Sequence, residues 1–444
     1  VPSVPPARPG LWRDADFRRL WVGQTASQLG AQAAQITLPL TAVVALNADA
    51  GQLGALRAAQ QVPILLLSLL VGAWVDRWRS YKVMVLADFG RAALLAAIPA
   101  AHVLGLLGSP VLLGMPVLLV VAFLVGVLTV FFDVAYQASL VRLVERDRLL
   151  QANSALEGSR SAAQIGGPAL GGTLVSLLSA PVAVAASTFF FALSFLSIRR
   201  IRCAESPPQH IERPARDERP ARIWRQIREG LRFVVRDPSL RSVGVCSALF
   251  QFSFAGLMTV YLLFLSHTLH LSGGAVGLVL AAMGPGAVVG SVLSAALPRR
   301  FGHGVVLVSS AVLADGVMLC VPALSGSASA TVPLLMAVNF VFGVFIQLVD
   351  VTVTAVRQSI TPIRMQGRVV ATIDFVGMGL TPLGSLLGGF LASEWGLRTG
   401  LLLTAIGLCL SPLFMAFSPL ARLGKELPTP HHPSDHPSSR SAQG

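Results

Sequence analysis

Positive charge in this chain alternates from loop to loop along a ladder of twelve apolar segments. One set of connections begins with Arg8, Arg13, Arg18 and Arg19, then carries Arg77, Arg79 and Lys82, then Arg142, Arg146 and Arg148. It continues with twelve arginines from Arg199 to Arg241, then Arg299 and Arg300, then Arg357, Arg364 and Arg368, and ends with Arg422, Lys425 and Arg440. The alternate loops carry almost none, with Arg398 the exception. Lys and Arg collect in cytoplasmic loops because translocating them is costly. The pattern predicts a polytopic membrane protein with an even number of crossings and both termini in the cytoplasm.

Composition agrees. The 444 residues are 54% hydrophobic and only 12% charged, too apolar for a soluble globule. A span needs about 20 apolar residues, so twelve take up roughly 240. A net charge of +13 in a soluble protein would suggest nucleic acid. Here the loop bias accounts for it, with the bilayer and its anionic headgroups as the partner and no nucleic acid. The four cysteines have neither pairing nor metal spacing, and His431, His432 and His436 sit in a Pro/Ser/His tail that reads as flexible, so no metal is expected. No cleavable signal is expected, because the first apolar run is a full span after about sixteen polar residues. The Arg, Ala and Gly bias points to a GC-rich bacterium and hence to its inner membrane.

Spans are predicted near 20–45, 54–75, 83–106, 112–137, 153–178, 181–198, 240–265, 274–297, 304–324, 332–356, 369–392 and 398–418. The expected organisation is a six-helix half over 1–198, a cytoplasmic linker over 199–238, a second six-helix half over 239–420 and a disordered tail over 421–444. Helical spacing of basic residues around Ile223 to Val235 predicts a segment lying along the membrane surface. The halves read as repeats. A shift of 217 residues puts Asp133-Val134 on Asp350-Val351, Glu157 on Asp374, and Gly171-Gly172 on Gly388-Gly389. Two halves related by an axis along the membrane normal is the layout of many secondary transporters.

Between spans two and three stand Gly72, Asp76, Arg77, Arg79 and Lys82. A Gly at a helix end permits close helix approach, an Asp at the membrane edge meets a helix N-terminus, and the cations pair with acids or phosphates. This loop resembles the signature loop of the major facilitator superfamily, with Arg79 where that signature usually has Gly. Phe17-Arg-Arg-Leu-Trp-Val-Gly-Gln, Ala87-Asp88-Phe-Gly-Arg91-Ala and Gln151-Ala-Asn153 are similar to its branch of enterobactin-exporter and macrolide-efflux type, over about residues 15–420. Gly167-Pro168-Ala-Leu-Gly171-Gly172 in span five resembles the antiporter motif of drug exporters. Pro removes a backbone donor and the glycines remove side chains, so such a helix bends and packs closely. Span eleven keeps Gly388-Gly389 but has Ser385 where the Pro would fall.

The resemblance implies an all-α fold of twelve transmembrane helices in two pseudo-symmetric halves, with helices one, four, seven and ten around a central cavity. Gln24, Gln28, Gln32 and Gln35 share one face of span one. Unpaired amides facing lipid are costly, so these are expected to face the interior. Phe131, Phe132 and Tyr136 in span four, Gln251 in span seven, and Asn339 and Gln347 in span ten complete the expected cavity. Asp88 and Arg91, with Asp76 and Arg142, are expected to form a gating charge network. Ionisable groups inside spans are functional candidates. Asp133, Asp374, Asp350 and Glu157, in that order, are the candidate proton carriers, and Glu157 is spaced to pair with Arg160. Asp315, near the middle of span nine, has no partner legible in the sequence.

The implied function is export of a small organic compound (drug, antibiotic or siderophore) by proton antiport with alternating access, by a monomer with no cofactor. An importer of a nutrient or lipid precursor and a non-transporting membrane sensor are the rival readings. The chain carries no Walker-type Gly-Lys-Ser/Thr loop and no clustered Ser/His or His/Asp set, so an ATPase or other enzyme is not expected.

Overall fold

The computed structural model describes residues 11–75, 79–104, 114–144, 148–201, 228–325, 328–362 and 365–426. These residues group into twelve long helical rods. In the first half of the chain they are α1 (Ala15–Ala45), α2 (Ala50–Val75), α3 (Ser80–Val103), α4 (Met115–Leu143), α5 (Leu149–Leu177) and α6 (Ala180–Arg199). In the second they are α7 (Pro238–Thr268), α8 (Gly273–Ser294), α9 (His303–Ala323), α10 (Ala328–Ile360), α11 (Gln366–Trp395) and α12 (Leu397–Phe417). Nine of them are long and apolar enough to cross a membrane by length and composition. Of the other three, α1 and α5 have the length but are interrupted by polar side chains, and α2 has the length and carries its polar side chains in its first half only. These are the Gln stripe of α1, Gln52, Arg57, Gln60 and Gln61 in α2, and Glu157, Arg160 and Gln164 in α5.

Local chemistry sets the ends and breaks of the rods. Asp14 caps α1, accepting from the backbone N–H groups of Asp16 (2.8 Å) and Phe17 (3.3 Å). Asp237 caps α7 through Ser239 and Leu240, both at 2.9 Å, with Pro238 at the first helical position. Such caps satisfy N–H groups that have no partner within the helix. Three further rods of the second half, besides α9 with its turn at Leu319–Cys320, are interrupted at Ala282, Leu380 and Cys409. Each interruption comes two or three residues before a proline (Pro285, Pro382, Pro412), whose missing N–H removes a rung of the helical ladder.

In six of the nine apolar rods only 39% of the most apolar window is buried. Leu86, Val103, Leu177, Val292 and Phe417 are among the large apolar side chains left exposed. In water so much bare apolar surface would drive association; in a bilayer it is the lipid-facing surface.

Within the first half α6 packs on α1 and α3, α1 on α5, and α4 on α2 and α3. Within the second, α10 packs on α8 and α9, and α7 on α11 and α12. The halves meet along two seams, α2 with α11 and α5 with α8. Both seams are closed by glycine. A Cβ added to Gly389 would stand 2.5 Å from the Ala50 carbonyl oxygen and 3.1 Å from the Gly54 Cα. One added to Gly277 would stand 2.6 Å from the Gly172 Cα. All four glycines lie toward the helix ends remote from the arginine-rich connections. The halves are therefore joined at that remote end.

At the basic end two further elements attach. Residues 228–236, within the expected linker, are helical. Glu229 pairs there with Arg368 of α11 at 2.6 Å, and Gly230 sits against Arg368 and Thr372. Past α12, the carbonyls of Gly424 and Leu423 accept from His303 (2.9 Å) and Gly304 (3.0 Å) of α9. Of the tail expected to be disordered over 421–444, residues 421–426 are thus held against α9 or follow directly on the residues that are, and 427–444 lie outside the described residues, as does most of the basic linker, 202–227.

Candidate transport site

The four acids singled out in the sequence come from four helices and converge. Glu157 and Asp374 stand eight residues into α5 and α11 from their basic ends, Leu149 and Gln366. Asp133 and Asp350 stand ten residues from the basic ends of α4 and α10, Leu143 and Ile360. At 1.5 Å per residue all four lie ~12–15 Å deep. The repeat shift that pairs them in sequence therefore pairs them in depth.

Two arginines thread this band of acids. Arg160 donates to Glu157 from Nε (3.0 and 3.1 Å) and from Nη2 (2.5 Å), the i,i+3 pair that the spacing predicts. Arg160 also lies within electrostatic reach of Asp133 in its own half and of Asp350 across the cleft. Arg357, near the end of α10, reaches Asp374 at 3.7 Å and acts on Asp350. The band thus runs Asp133, Glu157–Arg160, Asp350, Arg357–Asp374, from one half to the other. Its four acids are exposed within the rods, so the halves stand apart here while glycine joins them at the opposite end. With four carboxylates against two guanidiniums, the band carries a surplus of negative charge when all six groups are ionised.

Arg357 was missed by sequence reasoning. The predicted span ends at residue 356 and leaves Arg357 in the basic connection, whereas α10 continues to Ile360. Arg357 reaches Asp374 of α11 from α10, a contact between two helices. Only the longer helix supplies that contact, and no local spacing announces it.

Asp88 and Arg91 form a different unit, enclosed within the first half. The two side chains are paired on one face of α3, both almost wholly buried. The Ser27 and Ser194 hydroxyls donate to Asp88 from α1 and α6, and Arg91 donates to Ser27 Oγ at 3.1 Å. The guanidinium is held between the rings of Phe132 and Phe191, each centroid 4.4 Å away. This cluster ties α1, α3, α4 and α6 together. Of the residues expected with it, Asp76 and Arg77 lie outside the described residues, as does the side chain of Arg142. Gly72 falls in the last turn of α2, and Arg79 and Lys82 are exposed at the start of α3.

The expected cavity residues divide. Gln24 is buried, Gln28 and Gln32 are half-buried, and Gln35 is exposed. Phe132 lies wholly buried against Arg91, while Phe131, two residues before Asp133, and Tyr136, three after it, remain half-buried. Asn339 is fully buried and donates to the Tyr261 hydroxyl (2.7 Å) and the Leu335 carbonyl (2.9 Å), which ties α10 to α7. Gln347 packs near Gly290 of α8. Gln251 lines a cavity of about 320 Å³ between α7 and α9–α12, together with Asp350, Arg357 and Asp374. The span-five motif works as a packing surface. Gly167 receives Gln32, Gly171 receives Ala33 and Ile36 of α1, and Gly172 meets Gly277.

Residues 10–440 match the profile of a family described as transmembrane secretion effectors. The chain belongs to that family. It is thereby a major facilitator transporter of the bacterial membrane, multi-pass and not an enzyme. A multidrug efflux pump of Mycolicibacterium fortuitum, Tap, is 27% identical over 82% of this secretion-effector chain and 86% of its own length. The Mycobacterium tuberculosis protein of the same name is 28% identical, over 82% and 84%. Among solved structures, a bacterial homologue of the lysosomal transporter Spinster, inward-facing and unoccupied, superposes with a TM-score of 0.71 at 14% identity. It covers 94% of this chain and 98% of its own. A bacterial homologue of ferroportin, also inward-facing, gives 0.72 at 15%, over 92% and 98%. At these identities the likeness establishes the fold. In this secretion-effector chain the two ends of that fold differ, with glycine-to-backbone contact between the halves at one end and charged groups bare at the other.

Proposed function

We propose that this protein exports an organic compound from the cytoplasm, driven by protons moving inward, as its two six-helix halves (1–198 and 239–420) rock about the cleft between them. The observation that carries the reading is the charged band: four acids at matched depth, shared between the halves, bare toward the basic end. Ionised, the band holds its two sides apart; protons reaching it from the outer face neutralise it, permit its sides to close together, and are released into the cytoplasm as the sides part again. The multidrug efflux pumps among the relatives favour export of drug-like compounds, and the small-residue motif of α5 is placed at a seam that must part for the cavity to open outward. The arginine-rich connections place the basic end, both termini and the linker in the cytoplasm. Glycine contacts then close the outer end, and the exposed acids face inward. The chain acts as a monomer in the bacterial inner membrane, with Asp133 first and Asp374, Asp350 and Glu157 after it as carriers.

The test is substrate-stimulated proton movement in reconstituted vesicles, with a panel of siderophores, macrolides and other antibiotics. Collapse of an imposed pH gradient on adding one of these compounds is expected. Transport of a compound with no proton movement would remove the four acids from the coupling role and point to sodium or to facilitated diffusion.

A further inference from the structure

One buried acid has no part in the charged band. Asp315 lies in α9, twelve residues in from His303, which at 1.5 Å per residue is ~18 Å from the basic end and deeper than any of the four acids. It is 2% exposed, and its Oδ1 atom has no hydrogen-bond partner among the described residues. A carboxylate in such surroundings needs a neutralising partner. Its side chain lines the same 320 Å³ cavity whose other wall carries Asp350, Asp374 and Arg357. Three acids against one guanidinium leave this cavity, too, short of positive charge.

A proton alone would neutralise Asp315 but needs no volume. The cavity has volume, at the lower end of the ~300–1,000 Å³ typical of small-molecule sites. Its remaining wall includes Phe250, Met378 and Met415. Aromatic faces attract cations, and methionine adapts to varied apolar shapes. Three acids and soft apolar side chains lining one cavity match one ligand chemistry, an organic ammonium carrying an apolar body.

We infer that this cavity, set off the central cleft inside the second half, seats the ammonium group of an amphiphilic organic cation, with Asp315 as its innermost counter-ion. The inference rests on the transport reading above and names a substrate class for it. Asp350 and Asp374 then serve as the acids that the cation passes on its way in, and Arg357 holds Asp374 when no cation is present.

The experiment uses the full chain, purified and reconstituted, with ethidium as a permanently charged probe and chloramphenicol as a neutral one. Binding is read by fluorescence anisotropy for ethidium and by equilibrium dialysis for chloramphenicol, and transport of both in vesicles. Asp315→Asn is expected to weaken ethidium binding at least tenfold and to leave chloramphenicol within twofold. Thr354→Phe, which narrows the cavity without altering a carboxylate, is expected to do the same, so the inference does not depend on the Asp315 variant folding. Unchanged ethidium binding in both variants, or equal loss of both probes, would overturn the cation site. Wild-type protein that moves chloramphenicol but not ethidium would overturn it too, with export left standing. Wild-type protein that moves neither of these, nor any compound of the wider panel, would overturn the transport reading and the inference with it.

Discussion

At the residue scale, similar chemistry serves two purposes in this chain, and burial separates them. Asp88 and Arg91 are sealed among Ser27, Ser194, Phe132 and Phe191. Removing one member of a buried pair strands the other's charge, which typically costs about 3–5 kcal/mol, whereas removing both costs much less. Arg91→Leu should therefore lower the unfolding temperature in detergent strongly, and Asp88→Leu/Arg91→Leu should recover part of the loss. A double variant as unstable as the single would show that the pair is not the unit. Asp133 is exposed in the cleft, where its loss strands nothing. Asp133→Asn is expected to reduce proton-linked efflux to background with the amount of protein in the membrane unchanged. Normal efflux in that variant would strike Asp133 from the carriers. The sequence made the Glu157–Arg160 pair legible because both residues lie on one helix, three apart. It concealed the Asp374–Arg357 and Asn339–Tyr261 contacts because each joins two helices distant in sequence. Phe132 reads as a cavity aromatic until its ring is seen against a guanidinium.

At the element scale, the helices that look least like membrane spans carry much of the working chemistry. α1 and α5 fall short in composition because polar side chains interrupt them, and α5, with α2, forms the seams between halves. The duplicated diglycine was readable as a repeat; its partners, Gly54 and Gly277, were not. Gly277 closes a Gly-x-x-x-Gly with Gly273 and Gly54 follows Ala50 by four, spacings that mark a close-packing helix face, but only the packing shows which helix each face meets. A side chain at Gly277 must displace the α5 backbone at Gly172, since flexible groups are absent on both sides. Gly277→Leu should wedge α5 from α8 and raise the population open at the remote end. The check is labelling of a cysteine introduced at Thr173 by a membrane-impermeant maleimide, in a background without the four native cysteines. Faster labelling than in the glycine parent is expected, and an unchanged rate would mean that the seam does not limit opening.

At the scale of the whole molecule, the all-helical membrane fold is legible in hydropathy because the bilayer enforces it, and loop charge supplies the proposed direction. The state of the cleft does not follow from them, since one sequence must support closure at either end. What the structure adds is the asymmetry of those closures. The remote end closes by backbone contact between glycines, which carries no charge and offers no response to pH. The basic end is held apart by a band with more carboxylates than guanidiniums, which responds to protons and to cations. A rocking motion must break the first closure as it makes the second, so the two ends should move in opposite senses. Spin labels placed at Lys82 and Arg300 report the basic end, and labels at Leu178 and Trp395 report the remote end. Acidification with a transported compound present is expected to shorten the first distance and lengthen the second in the same samples. Movement of both distances in one direction would mean that the halves breathe rather than rock, and the glycine seams would then be hinges and not a gate.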